Sequence, residues 1–300
     1  MAKFSASDAV GAGFALIGRR PVSVFVWGLF AVLAVWAPMI PALGSIAPSY
    51  LEMMQLSLHP QAKPDVTHLI NMEMRLFQTM MWMWPLGMIA ATINLAAVFR
   101  AVLEPKNRGF AYLRIGMQEV WLFVLMFVQA LLAMLYMVAA GLTVALASVA
   151  AARFGGEVLS IMVGVATGFA SVILFVWIGL RLSLAGPMTF AARKLQLFES
   201  WRLTRGSAWQ LLVMALLLAA ILFGVGMVIQ VTEGVAFTVF DPYSANPEAV
   251  RTWLAHPPAP AVWAPWLAGA AVVMAVYIGA IRAIISAPWA AAYRALTSEG

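Results

Sequence analysis

The 300-residue chain contains no cysteine and few charged residues. The lack of cysteine excludes disulfides, cysteine-ligated iron–sulfur clusters and a thiol nucleophile. Only 10% of the residues are charged and 64% are hydrophobic, whereas soluble domains carry about 25% charged residues. No Asp or Glu lies near the middle of a long apolar run, which argues against a proton-driven carrier because such carriers use intramembrane carboxylates. The composition predicts a chain that resides in lipid.

The motifs of common enzymes are absent as well. The sequence has no HExxH motif, no phosphate-binding glycine loop and no nucleophile elbow. His59, His68 and His256 lie in polar connections among scattered acidic residues, so neither a metal site nor a cofactor is predicted. Aromatic residues follow the expected membrane boundary, which speaks against a nucleic-acid partner in spite of the net charge of +6. We interpret the chain as non-enzymatic.

Long apolar runs predict an all-α integral membrane protein with six transmembrane helices. A helix needs about 20 residues to cross a hydrocarbon core of about 30 Å, and the runs do not alternate as barrel strands do. The N-terminal basic pair lies too far from the start for a secretory signal, so we expect an uncleaved first span. The predicted spans are 22–43, 77–100, 120–149, 157–181, 209–232 and 262–286.

The distribution of positive charge predicts the orientation. Of the 18 Lys and Arg residues, 14 lie on one side of these spans, and only Lys63, Arg75, Arg153 and Arg251 lie on the other. By the positive-inside rule, the richer side faces the cytoplasm. The prediction is a multi-pass protein of the bacterial cytoplasmic (inner) membrane with both termini in the cytoplasm.

The connections differ between the two sides. Outer loops are predicted at about 44–76 and 233–261. On the cytoplasmic side, residues 4–18 and 188–204 are predicted to form amphipathic helices in the plane of the interface, because apolar residues recur along one face of each. Residues 106–117 are predicted to form a shorter counterpart of these helices. For the first of these helices, Ser5 or Ser7 is the candidate cap.

The sequence repeats this arrangement. RLSLAGPMTFAAR (181–193) and RAIISAPWAAAYR (282–294) share an Arg–Pro–Arg spacing, and Arg100, Pro105 and Arg108 form a looser copy. We interpret each proline as a turn that leads from a span into an interfacial helix. The chain is predicted to be a single membrane domain, 1–300, of three helical hairpins, each preceded by a cytoplasmic interfacial amphipathic helix. The repeat units are about 4–105, 106–187 and 188–288.

Arginines of these three Arg–Pro–Arg segments are the candidate ligand-binding residues. Guanidinium groups bind phosphate through paired hydrogen bonds, so converging arginines would suit an anionic lipid headgroup or a phosphorylated ligand. The commoner use of such residues is to reach the interface and enforce topology. Acidic residues on the same side, Glu119 and Glu199, are expected to pair with nearby Arg114 and Arg202. The candidate ligand-binding residues are Arg100, Arg181, Arg193, Arg282 and Arg294.

A few polar or small residues lie inside the spans. Asn94 and Gln129 would line a path in a transporter, although hydrogen bonding between helices is the commoner use of such residues. Gly164 and Gly168 have the small-xxx-small spacing of helix packing.

One segment carries a family resemblance. RLSLAGPMTFAARKLQLFESWRLTRGSAW (181–209) has an Arg at a span end, a Pro six residues later and SWRLTRG before the next span. It resembles the membrane region associated with some glycerophosphoryl diester phosphodiesterases. The resemblance implies a multi-helix membrane protein; the catalytic barrel of those enzymes has no counterpart here, so their activity is not carried over.

The sequence alone leaves several functions open. The favoured hypothesis is a non-enzymatic membrane protein that engages anionic lipid or a phosphorylated small ligand at its cytoplasmic side, or that organises the membrane. The alternatives are a small-molecule transporter or channel, a membrane subunit that anchors a partner protein and, last, a membrane-embedded lipid enzyme. Membrane lipids are the expected partners, and a homo-oligomer or a protein partner remains open.

Overall fold

The computed structural model describes residues 4–35, 38–39, 66–106, 109–240, 252 and 260–298. These residues form helices and turns without a strand, which confirms the all-α class. The helices are α1 (Ala6–Arg19), α2 (Pro21–Val35), α3 (Val66–Leu103), α4 (Met117–Leu182), α5 (Ala185–Ala192), α6 (Glu199–Leu203), α7 (Ala208–Phe240) and α8 (Pro260–Thr297).

The first interfacial helix forms as predicted. Ser5 caps α1 by accepting a hydrogen bond from the Asp8 amide at 3.3 Å, and Asp8 lies in the first turn, where a negative charge is favourable. α1 ends at Arg19 because Pro21 begins the next helix. α1 and α2 meet at a bend of 95°.

The third and fourth predicted spans lie within the single element α4. A straight helix of its 66 residues would measure about 100 Å, several times the thickness of a bilayer. At Gly156 the backbone adopts a φ of 73°, which glycine tolerates without strain, and α4 divides there into two limbs. The Tyr136 hydroxyl donates to the Ser171 carbonyl at 2.5 Å, and the Ser160 hydroxyl donates to the Ser148 carbonyl at 2.9 Å. The limbs therefore run antiparallel, side by side.

The other two interfacial helices are not as predicted. In place of a helix over 106–117, the described part of that segment holds only the 3-10 turn Phe110–Tyr112. Its carbonyls serve distant side chains, since Ala111 and Tyr112 accept hydrogen bonds from the Trp27 indole and from Arg100.

The predicted helix over 188–204 is divided into α5 and α6. Arg193 adopts a left-handed conformation with a φ of 53° directly after α5. The Thr189 hydroxyl then accepts the Gln196 amide at 3.0 Å and stabilises the turn that separates the two short helices. A prediction of one continuous amphipathic helix was therefore wrong.

The three Arg–Pro–Arg copies adopt three different structures. Pro105 lies in the turn after α3, and Pro187 lies in the first turn of α5. Pro288, in contrast, lies inside α8, which continues to Thr297, so the predicted turn at the third copy is wrong. Packing explains the difference, because Ala283, Ala287 and Ala290 of α8 are fully buried in the core.

Among the described residues, four helical segments are long and apolar enough to cross a membrane, or five if the bent pair α1–α2 forms one span. The apolar helices indicate a membrane protein. Residues 66–76 and 233–240 are helical, so both predicted outer loops are shorter than expected, and most of their remainder lies outside the described residues.

The core lies at one end of the bundle. Two buried clusters join α1, α2, the ends of α3 and α8, the start of α4, α5 and the start of α7. More than half of the apolar window of α3 is buried (56%), whereas only 11% is buried in the windows that include α4 and α7. We call the packed end, which holds α1, the turn Phe110–Tyr112, α5 and α6, the basic end.

A glycine contact joins α2 to α8. A Cβ atom at Gly28 would overlap the Ala275 carbonyl oxygen, and one at Gly279 would overlap the Val24 carbonyl oxygen. The backbones of the two helices are thus in direct contact, an arrangement that side chains larger than hydrogen prevent. The predicted pair behaves differently: Gly164 faces the Ser148 hydroxyl in the α4 hairpin, and Gly168 meets no neighbour.

Candidate functional site

Arg100 is the centre of a buried polar network at the basic end. Its side chain is only 2% exposed and forms an ion pair with Glu119, which is 5% exposed. Its Nη1 donates to the Tyr112 carbonyl at 2.5 Å, and its Nη2 donates to Gln118 at 3.2 Å. The guanidinium also lies 5.4 Å from the centroid of the Phe190 ring. Arg100 therefore ties the end of α3 to the turn, to α4 and to α5.

Gln118 extends this network to further segments. Its amide nitrogen donates to a Glu104 carboxylate oxygen and to the Phe190 carbonyl, both at 3.2 Å. The expected pair of Glu119 with Arg114 is therefore wrong, because Glu119 is turned into the core toward Arg100. Glu199 and Arg202 are both exposed, and no ion pair joins them in the described structure.

Arg181 occupies a different kind of environment. Its guanidinium carbon lies 5.5 Å from the Trp177 ring centroid and 5.8 Å from that of Trp201, and these two rings meet edge to face. Nη1 donates to the Thr204 carbonyl at 3.1 Å, while Nε is buried without a hydrogen-bond partner. The Ser200 hydroxyl donates to the Arg181 carbonyl at 2.8 Å. α6 is thus anchored to the end of α4.

The arginines at the ends of α3 and α4 make the same kind of hydrogen bond. Arg100 and Arg181 each donate Nη1 to a backbone carbonyl, of Tyr112 and Thr204, just before the next long helix begins. Arg282 makes no such hydrogen bond within the described residues, and its side chain is half-buried. The three arginines therefore share a position in the sequence but not a set of contacts.

The remaining two candidate arginines are exposed. Arg193 follows α5 in the left-handed conformation. Arg294 donates Nη1 to the Val102 carbonyl at 3.1 Å and so connects α8 to the end of α3. Neither of the two grooves that the described residues line, which are presented next, has an arginine in its lining, so neither groove gathers the five candidates.

An apolar groove of about 920 Å³ runs between the limbs of α4 and reaches the basic end. Its wall includes Trp177 and Trp201, the two tryptophans that contact the Arg181 guanidinium, so Arg181 adjoins this wall without being part of the lining. The volume is within the range of small-molecule sites. We call it the aromatic groove, and its aromatic lining consists of Phe99, Tyr136, Phe175, Trp177, Phe198, Trp201 and Trp289.

The two intramembrane polar candidates occupy different places. Gln129 lines the aromatic groove, and its side-chain amide makes no hydrogen bond in the described parts of the chain. Asn94 is fully buried in α3 with both amide atoms unpartnered, and it lines neither groove. The structure does not bring Asn94 and Gln129 to a shared polar path.

A second groove of about 650 Å³ lies toward the other end of the bundle, between α2, α3 and α4. Its lining contains Met83, Trp84, Met88 and Met126 but no charged side chain. In the same part of the molecule the Thr92 hydroxyl contacts the Met126 sulfur at 3.3 Å. The surface offers apolar contacts and little to orient a polar ligand.

No group of three or more His, Asp or Glu side chains in the described ranges is arranged to hold a metal ion. The residues that sequence reasoning missed are Gln118, Trp177 and Trp201. The four-residue spacing of Trp177 and Arg181 on one helix was a readable signal, because such pairs share a helix face. Trp201 and Gln118 meet Arg181 and Arg100 only because turns bring different helices together, and the sequence carries no periodic pattern that predicts such contacts.

Comparison of the chain with protein-family models, with curated proteins and with solved structures finds no match. The resemblance of residues 181–209 to the membrane region of glycerophosphoryl diester phosphodiesterases stays a prediction.

Proposed function

We propose that this chain is a non-enzymatic protein of the bacterial inner membrane that holds an anionic amphiphile at its basic end. In this proposal six crossings form three hairpins, with the two limbs of α4 as separate crossings and the basic end in the cytoplasm. The charge distribution supports that orientation, since 14 of the 18 Lys and Arg residues lie on the predicted cytoplasmic side of the six predicted spans.

The observation that carries the proposal is the position of Arg181 beside the two tryptophans of the aromatic groove. Arg181 retains Nη2 as a donor, because only its Nη1 makes a hydrogen bond within the described residues, whereas its Nε is enclosed by the protein. Arg100 differs, since both of its Nη atoms serve Tyr112, Gln118 and Glu119. A guanidinium beside an apolar surface suits a phosphate headgroup with an attached apolar part. Of the five arginines, Arg181 is therefore our primary ligand-binding residue.

Two observations bear on the alternatives. A transporter requires polar groups along a path. Asn94, however, is fully buried and lines neither groove, and the lining of the aromatic groove is almost wholly apolar. A subunit that anchors a partner protein is favoured by the largely exposed limbs of α4, although lipid can cover the same surface. Binding of an amphiphile accounts for both the groove and Arg181.

Replacing Arg181 and Arg282 together by glutamine is expected to reduce the retained anionic lipid about tenfold or more, the effect of removing charged hydrogen bonds worth about 1.5–3 kcal/mol. The full chain would be purified in mild detergent, and bound phospholipid would be quantified by mass spectrometry. The single change Arg181→Gln is expected to produce most of the loss, because Arg181 adjoins the groove.

The matched control for this experiment removes two other charges from the same end. Arg202 and Arg205 are exposed and follow α5 on the same segment. The double variant Arg202→Gln, Arg205→Gln is expected to retain lipid like the natural chain. Equal lipid content in the Arg181 and Arg282 variant, with normal insertion, would rule the proposal out.

The absence of cysteine permits a direct test of the six crossings. Single substitutions Ser57→Cys, Arg153→Cys and Ser244→Cys would place a thiol at each predicted outer connection, and Ser298→Cys would place one at the basic end. A membrane-impermeant maleimide added to intact spheroplasts is expected to label the first three variants and to spare the fourth until the cells are lysed. Labelling at 298 before lysis, or protection at 153, contradicts the proposed topology.

A further inference from the structure

We infer that the ligand of the aromatic groove is a glycerophospholipid, with its phosphate at Arg181, an ester carbonyl at the Gln129 amide and an acyl chain along the groove. This inference rests on the proposed function and specifies the chemical class of its ligand. A soluble phosphorylated metabolite would share the phosphate contact, but it would leave the apolar groove and Gln129 unused.

The depth of Gln129 relative to Arg181 supports this assignment. Tyr136 and Ser171 are hydrogen-bonded across the α4 hairpin and so lie at one level. Gln129 and Ile178 lie about two helical turns from that level on their own limbs, and both line the groove. Arg181 lies nearly one turn beyond Ile178, about 5 Å closer to the basic end. A group one turn below a phosphate is in the position of the ester linkages of a phospholipid.

The chemistry of Gln129 agrees with its position. Leu132 and Ala133, three and four residues further along the same helix, line the groove beside it and offer it no polar partner. An amide that faces an apolar environment without a hydrogen bond is unfavourable, so its Nε2 group favours a ligand that supplies an acceptor. An ester carbonyl is such an acceptor, whereas the ether oxygen of an alkyl lipid is a much weaker one.

The length of the groove matches one leaflet. Along the first limb the lining extends from Gln129 to Ala139, which corresponds to about 15 Å of helix. That is half of the hydrocarbon thickness of about 30 Å. At the deep end, the Tyr136 hydroxyl bonds the Ser171 carbonyl, and its ring packs against Phe175 at 5.3 Å between centroids. The two limbs are thereby joined where an acyl chain would end.

The test compares diester phosphatidylglycerol with its diether analogue of equal chain length, each added in detergent micelles to the purified full chain. Native mass spectrometry would report the lipid retained. The natural protein is expected to prefer the diester about fivefold, which is the contribution of one hydrogen bond. In Gln129→Leu this preference is expected to disappear, and in the control Gln230→Leu, on the exposed surface of α7, it is expected to persist.

The outcomes separate this inference from the proposed function. If Arg181→Gln lowers retention of both lipids but the natural chain shows no ester preference, the assignment of Gln129 is overturned and the phosphate contact stands. If Arg181→Gln changes nothing, the proposed function fails. The near-isosteric Gln129→Met repeats the comparison if Gln129→Leu does not fold. Displacement of the lipid by millimolar glycerol 3-phosphate would overturn the requirement for an acyl chain.

Discussion

Replacing Arg100 by glutamine is expected to lower the free energy of unfolding by about 3–5 kcal/mol, because the change leaves a buried charge without its partner. Glu119 is 5% exposed, and its carboxylate forms an ion pair with Arg100. The change also removes the donor that reaches the Tyr112 carbonyl from the end of α3. Thermal unfolding in detergent, followed by circular dichroism, would measure the effect.

A second variant distinguishes the loss of the ion pair from the cost of leaving one buried charge unpaired. The double change Arg100→Met, Glu119→Leu removes both charges, and it is expected to recover much of the lost stability because apolar residues often replace a buried pair at little cost. The control Arg202→Gln removes an exposed positive charge and is expected to change the unfolding temperature little. If Arg100→Gln behaves like this control, the network does not stabilise the basic end.

Gly28→Ala and Gly279→Ala are each expected to destabilise the protein by about 1–3 kcal/mol or more, although alanine is the better helix former. The added methyl group would overlap a backbone carbonyl oxygen, of Ala275 in one case and of Val24 in the other. A backbone carbonyl cannot relieve the overlap by changing rotamer as a side chain can, so either substitution must push α2 and α8 apart. The same measurement of unfolding in detergent applies.

The matched control is Gly168→Ala in the second limb of α4. A Cβ atom at Gly168 meets nothing within 4 Å, so the change is expected to stabilise the helix by up to about 1 kcal/mol. The sign of the effect therefore differs between chemically identical substitutions. A stabilising Gly28→Ala would mean that α2 and α8 are not in backbone contact.

Helices were predictable where the signal was local. The Ser5 cap, the Asp8 charge and the proline after α1 all act on residues that are close in the sequence, and that helix forms as predicted. Residues 188–204 carried an equally clear apolar periodicity, and 106–117 was predicted as their shorter counterpart, yet both segments fold into turns and short helices. Hydrogen bonds outside a regular helix compete in both segments. The Ala111 carbonyl accepts the Trp27 indole, and the Gln196 amide donates to the Thr189 hydroxyl. Periodicity alone does not describe such competition.

The candidate site was predicted by residue type but not by role. Arg100 and Arg181 have the same place at the end of a span, and the sequence offers no reason to treat them differently. Their roles diverge because Glu119 enters the core beside Arg100, while Trp201 from α6 closes over Arg181. Gln129 and Asn94 diverge likewise, since one faces a groove and the other faces neighbouring helices.

The sequence by itself determined that the chain is helical and that its long segments are apolar enough for a membrane, and it predicted that most of the positive charge lies on one side of the spans. Those properties follow from composition and local periodicity, which need no knowledge of neighbours. Only the tertiary structure decided which arginine lies against the wall of the aromatic groove, which amide faces that groove and which glycines bring α2 against α8. These depend on the rotation of each helix about its axis and on contacts between residues far apart in the chain.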